Sequence, residues 1–160
     1  YTFLSLLDEI ISIKKYYANG EFNKVKKHKI LYFLNGLDIF LQNNLSIYKN
    51  KETKFLIING GKKMQWLAFA RGPVLDNEYQ IGFEDKNIIS INTSIDEGIM
   101  NFFEISLLSL LTYDVNKLIK ESHDTKPFFE CYKGQYRDEI PNEIIINYFK
   151  VNMPFFMKGD

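Results

Sequence analysis

The sequence is poor in the residues that usually announce a chemistry. One cysteine, Cys131, excludes an internal disulfide and fits a reducing compartment. Two histidines, His28 and His123, make with Cys131 a sparse set for a metal, and no Cys-x-x-Cys or His-x3-His spacing occurs, so no metal or cofactor is expected. No apolar run approaches the ~20 residues of a membrane span, and no signal-peptide pattern is visible. The expected location is therefore the cytoplasm, with Tyr1 in place of Met leaving room for residues upstream. Charge of one sign is also lacking. Twenty basic residues balance twenty acidic ones, which argues against nucleic acid or a membrane as a partner drawn in by long-range attraction.

What the sequence does hold is apolar and aromatic. Hydrophobic residues make up 46% of the 160, with fourteen Phe and ten Tyr, enough for a buried core and against disorder. The length suits one domain, residues 1–160. Helical spacing of Leu4, Leu7 and Ile11 predicts a helix over 2–18, stopped by Asn19-Gly20. A second helix, capped by Asn23, carries Ile30, Leu34, Leu37 and Leu41 as an i, i+4, i+7, i+11 stripe and ends near Gln42. The period then changes. Residues 55–58 and 66–69 read as two strands joined into a β-hairpin by Asn59-Gly60-Gly61. Gly72-Pro73 is expected to end the second strand, with Pro73 opening a short helix toward Tyr79. Residues 88–91 form a weaker strand candidate. Ser94-x-x-Glu97 fits a capping box before an apolar helix to Thr112, and Asp114 a cap for a helix over 115–122. Residues 126–140 read as an aromatic-rich loop, and Pro141 as the first residue of a last helix through Ile144, Ile145, Tyr148 and Phe149. The expected class is α+β, mainly α, with a small antiparallel β-hairpin or sheet inserted after the second helix.

Several clusters admit a functional reading and a plain one. Lys24, Lys26, Lys27 and Lys29 at the start of the second helix could touch phosphate, but such runs are usually a solvated face. Positive charge near a helix N-terminus is mildly unfavourable, which hints at a compensating negative group. His123-Asp124 has the composition of an acid–base pair, yet neighbours on a helix point about 100° apart. The plain reading has His123 capping or packing at a helix end. Cys131 fits a small buried thiol better than a nucleophile: His123, eight residues earlier across a proline loop, could approach it, but no local protease signature is present. Gly60-Gly61-Lys62-Lys63 lacks the Walker spacing and reads as a turn. Gly72-Pro73 reads as an architectural turn, with Arg71 open between a buried ion pair and a surface contact.

Three separated stretches are more specific together than apart. They are Lys26-Lys27-His28-Lys29-Ile30-Leu31-Tyr32-Phe33-Leu34, then Phe69-Ala70-Arg71-Gly72-Pro73-Val74 followed by Tyr79, then Leu118-Ile119-Lys120-Glu121-Ser122-His123-Asp124 followed by Pro127-Phe128. In that order and at those distances the chain resembles the Panacea domain family, also described as SocA-like and phage-associated. Lys26, Lys29, Leu31 and Tyr32 match that family's basic helix motif. Gly72, Pro73, Val74 and Tyr79 match its central turn, and Ser122, His123 and Pro127 its late motif, with Phe128 where tryptophan is usual. His28 stands where Gln is common, and Arg71 where Tyr usually precedes Gly-Pro-Val.

The resemblance implies an antitoxin domain of bacterial toxin–antitoxin systems. It implies neutralisation of a cognate protein toxin by direct protein–protein contact without catalysis, or, as in one member, delivery of the toxin to a protease as an adaptor. Aromatic and arginine side chains are favoured anchors at protein interfaces, so Arg71, Tyr132, Tyr136 and His123 are the candidate partner-binding residues, with the 128–136 segment the candidate exposed aromatic region. Two other classes stay open: an enzyme using His123, Asp124 and Arg71 in a cleft, and a nucleic-acid-binding regulator using the lysines from Lys24 to Lys29.

Overall fold

A computed structural model describes residues 3–13, 24–45, 54–58, 64–76, 89–135 and 137–158. Among them lie six α-helices and five short strands: α1 Phe3–Ile13, α2 Lys24–Asn44, β1 Leu56–Ile58, β2 Trp66–Phe69, β3 Gly72–Leu75, β4 Ile89–Ile91, α3 Glu97–Leu111, α4 Val115–His123, α5 Lys126–Cys131, β5 Asp138–Ile140 and α6 Asn142–Val151, then a 3-10 turn at Phe155–Met157. The class is α+β, mainly α, as expected.

The organising element is α2, which packs against α3, α4, α6 and β3. Its stripe Ile30, Leu34, Leu37 and Leu41 is buried together, as the spacing predicts. Burial extends well beyond one stripe: every residue from His28 to Asp38 is buried. Around it the core is aromatic. The Tyr32 ring meets Trp66 and Phe149 edge-on at 5.4 and 5.5 Å, and Phe55 stacks on Phe103 at 4.1 Å. α6 approaches closely because Gly36 offers no side chain there. A Cβ on Gly36 would lie 2.7 Å from the Phe149 ring.

The sheets depart from expectation. β1 does not pair with β2. It pairs antiparallel with β4, Leu56 opposite Ile91, in a two-stranded sheet. β2 forms its hairpin with β3 across Ala70-Arg71, Phe69 opposite Gly72, and takes β5 on its other side, Trp66 opposite Ile140. Gly72-Pro73 therefore begins a strand instead of ending one, and no helix starts at Pro73. Proline is tolerated because β3 is a sheet edge, where a missing N–H leaves no ladder bond unmade. The segment 126–140 is also no loop. α5 places Pro127 in its first turn, and β5 completes the three-stranded sheet. Both elements are too short for a periodic signal.

Caps differ in detail. Asp114 caps α4 as expected, accepting from Asn116 N. The Ser94–Glu97 capping box is not formed. Asp96 is the N-cap of α3, accepting from Gly98 N at 2.8 Å, while Ser94 N donates to Asn92 Oδ1 in a preceding turn. Aspartate is as good a cap as serine and lies nearer the helix. Pro141 is the N-cap of α6, one residue before the helical position expected for it. Helix α1 is described to Ile13, and Asn23, Tyr79, Tyr136 and the 59–63 turn lie outside the described residues.

Leu34 is fully buried at the centre of this packing. Leu34→Ala should cost about 2–5 kcal/mol of stability. Urea denaturation that shows a much smaller loss would remove Leu34 from the core.

Candidate functional site

Helix α2 is so deeply buried that its polar side chains must be satisfied within the protein. Lys26, Lys29 and Tyr32 recur every three residues, which stacks them on one face. Each reaches the backbone or end of a different element. The Lys26 ammonium donates to the carbonyl of Leu111, the last residue of α3, at 3.1 Å. That carbonyl lies at the negative end of the α3 dipole, and Asp114 lies close enough to favour the charge. This is the compensating negative group that the basic helix start calls for. Burial nonetheless lowers the Lys26 pKa from its ordinary value.

Lys29 Nζ donates to the carbonyl of Pro73 at 2.9 Å. The side chain is fully buried, and desolvation, with Arg71 nearby, lowers its pKa to about 7. Tyr32 Oη lies 2.8 Å from Thr125 Oγ1, which itself donates to Ser122 O at 2.7 Å. The phenol is therefore the donor, tying α2 to the junction of α4 and α5, and burial raises its pKa well above the ordinary value. Between them, His28 Nδ1 accepts from Leu75 N at 3.0 Å, which fixes Nδ1 as the unprotonated nitrogen. Further along, Asp38 accepts from Phe55 N and Leu56 N at 3.0–3.1 Å and seats the start of β1. Burial pushes its carboxyl up to about 6.

The solvated-face reading of the lysines is thereby overturned for Lys26 and Lys29, and so is their use on phosphate, since neither is exposed. Lys27 is half-buried. The reason lies in the length of the lysine stem, which lets an ammonium pass through apolar packing to a carbonyl beyond it.

The β2–β3 turn brings the three motif stretches together. Gly72 has φ +108°, and a Cβ there would lie 2.5 Å from Lys29 Cε and 2.7 Å from Ser122 Oγ. Only glycine fits both the backbone angle and the space. Ser122 is buried, its hydroxyl donating to Ile119 O. Leu31 is in the core, Pro127 and Phe128 are buried at the start of α5, and Val74 is half-buried on β3.

From this junction a strip of rings runs outward. His123, the last residue of α4, stacks on Phe128 at 4.5 Å and 5°, and Phe128 stacks on Tyr132 at 5.2 Å. The Ala70 backbone faces the imidazole and favours its charged form, but burial outweighs this and lowers the His123 pKa. Arg71 is exposed at the turn, which removes the buried-ion-pair reading. Tyr132 is exposed, and Phe129, one residue beyond the buried Phe128, is 58% exposed. Of the candidate partner-binding residues, His123 and Tyr132 lie along one strip, Arg71 follows Ala70 in the turn that faces His123, and Tyr136 lies outside the described residues. Phe128 itself is not among the exposed aromatics of 128–136.

A cleft of about 110 Å³ between α4, α6 and the last turn is lined by Asp124, Glu121, Thr125, Tyr148 and Lys158, without His123 or Arg71. Asp124 ion-pairs with Lys120 at 3.3 Å, one helical turn away. Cys131 is half-buried, and burial raises its pKa, which disfavours the nucleophilic thiolate. Among the described residues no group of three or more His, Cys, Asp or Glu is placed to hold a metal, and no helix is long and apolar enough to cross a membrane.

Thr125, Asp38 and the Asp76–Arg137 ion pair were not singled out from the sequence. Asp38 carries a legible signal, an acid inside the apolar run Leu37-Asp38-Ile39-Phe40-Leu41. Thr125 and Asp76 carry none. No protein-family model, no curated protein and no solved structure matches the chain.

Two outcomes follow from the junction. Gly72→Ala should cost about 2 kcal/mol or more through backbone strain and overlap, with Gly72→Val worse, read by urea denaturation. Lys29 holds fewer protons folded than unfolded between pH about 7 and 10.5. Its burial therefore opposes folding fully below that window, and the opposition fades as pH rises through it. Relative to Lys29→Met, the native chain should gain roughly 1.4 kcal/mol per pH unit inside the window. A stability difference that does not change with pH would show that Lys29 is not held as a desolvated cation.

Proposed function

We propose that the chain is a protein-binding domain of the kind it resembles, a Panacea-type antitoxin that neutralises a cognate protein toxin in the bacterial cytoplasm by direct contact and without catalysis. The observation that carries this reading is the division of labour at the junction. Lys26, Lys29, Tyr32 and Ser122, polar residues of the motif stretches, are buried and bonded to backbone or to one another's elements. What faces outward beside them is an arginine and a ring strip ending in Tyr132, with Phe129 adjacent in sequence on α5. Arginine and tyrosine are the side chains that anchor protein interfaces. Occlusion of the toxin needs only such a surface. Delivery of the toxin to a protease would need a second one.

Co-expression with the product of an adjacent reading frame, scored by growth rescue and by pull-down, tests the reading. Arg71→Ala and Tyr132→Ala should each weaken capture by about 1 kcal/mol or more where they are anchors. Asp124→Asn removes the acid beside His123 and leaves Arg71 and Tyr132 in place, so neutralisation should survive it. Rescue without a detectable complex, lost in a well-folded Asp124→Asn variant, would favour an enzyme instead.

A further inference from the structure

We infer that the β2–β3 turn is a seat for a carboxylate presented by the bound protein, with Arg71 receiving it and the His123–Phe128–Tyr132 stack forming the apolar wall beside it. The inference rests on the protein-binding reading and names what that partner must bring.

Charge placement carries it. The Lys29 ammonium of α2 ends on the Pro73 carbonyl, two residues from Arg71 of the turn, and the Ala70 backbone of the same turn faces the His123 imidazole of α4. Lys29 is near enough to feel Arg71, and His123 near enough to feel Lys29, each interaction disfavouring positive charge. Lys29 is bonded to a carbonyl oxygen, which offers a partial negative charge where a carboxylate would offer a full one. The acids on the neighbouring helices are engaged elsewhere. Glu121 pairs with Lys117 and Glu130 with Lys126, while Asp138 accepts from Lys133 N and Gln135 N; Asp124 pairs with Lys120 and also favours the charged form of its neighbour His123. Asp76, on the far end of β3, pairs with Arg137. Among the described residues no ion pair involves Arg71. His123 Nε2 is buried without a well-aligned hydrogen-bond partner, and the group facing its ring is the Ala70 backbone of the turn.

Arg71 therefore stands at this site as an exposed guanidinium with no acid paired to it among the described residues, on a chain whose net charge is zero. An exposed guanidinium beside such a site favours a planar anion that it can grip with two parallel N–H donors, and a carboxylate fits that fork. Aspartate or glutamate flanked by apolar atoms would lay its carboxylate on Arg71 and its neighbours on the rings. A nucleic-acid phosphate fits less well. Lys26 and Lys29, which would extend a phosphate track, are buried, and a neutral chain supplies little long-range attraction for a polyanion.

The test uses the intact chain and two probes, acetyl-triglutamate amide and acetyl-triglutamine amide, followed by NMR of the His123 imidazole and the Arg71 Nε–H. Triglutamate should shift both resonances saturably. It should also raise the His123 titration midpoint, because an added negative charge offsets part of what burial and Lys29 impose. Triglutamine should do neither, and Arg71→Gln should abolish the response while the remaining spectrum stays native. With the toxin in hand, Arg71→Gln should weaken capture about tenfold. No shift with triglutamate, or an equal shift in Arg71→Gln, overturns the seat. A stronger response to oligothymidylate than to triglutamate also overturns it and assigns phosphate as the ligand. If a toxin is captured equally by wild type and Arg71→Gln, the protein-binding reading stands and the carboxylate seat falls. If triglutamate responds at Arg71 and no protein is captured, the seat stands and the antitoxin reading falls.

Discussion

The structure depends on one constraint: α2 is buried while carrying polar side chains that cannot reach water. A buried ammonium or carboxylate without partners would cost several kcal/mol, so each must find a bond inside the protein. The partners are the loose ends of other elements. Lys26 takes the C-terminal carbonyl of α3, His28 and Lys29 take the two ends of β3, Tyr32 takes the α4–α5 junction and Asp38 the start of β1. Hydrophobic burial supplies the drive to collapse, but it is not directional. These bonds supply direction, setting where each element must begin or end against the central helix.

That arrangement changes what the sequence motifs mean. Lys26, Lys29, Tyr32, Gly72 and Ser122 come from the three separated motif stretches, and they are residues that hold the frame. Those motif positions therefore speak first to architecture. The proposed contact surface lies instead where side chains are left exposed, and Arg71 is an exposed cation on the turn where the three stretches meet.

Much of the frame was legible because it obeys a period. Ile30, Leu34, Leu37 and Leu41 announced a buried helix face, Asp114 a helix start, and Gly72 a position that needs an unusual backbone angle. Strand pairing was not legible. Residues 55–58 and 66–69 lie close in sequence with a turn signal between them, yet the partners are β4 and β3. Pairing is decided by the shared packing surface and not by loop chemistry alone. The buried lysines were missed for a different reason. A run of lysines beside an apolar stripe has the same pattern whether the ammonium groups meet water or cross the core to a carbonyl. Nothing local distinguishes the two. The distinction lies in Leu111 and Pro73, 85 and 44 residues away.

The junction also shows why its three stretches belong together physically. Lys29 is long enough to cross from α2 to the Pro73 carbonyl only if its stem passes where a Gly72 side chain would stand, and the same space is bounded by the Ser122 hydroxyl. A larger residue at 72 would displace the lysine, and a larger one at 122 would crowd the same gap. A shorter residue at 29 would leave the carbonyl and a void. Length at one position, absence at the second and smallness at the third are one packing solution read from three places in the chain. The β2–β3 turn is pinned by that solution, so Arg71 is carried on a fixed support and not on a free loop. Under the proposed protein-binding function, an anchor held in place before binding would lose less conformational freedom on binding, an advantage of carrying the charge on a pinned turn.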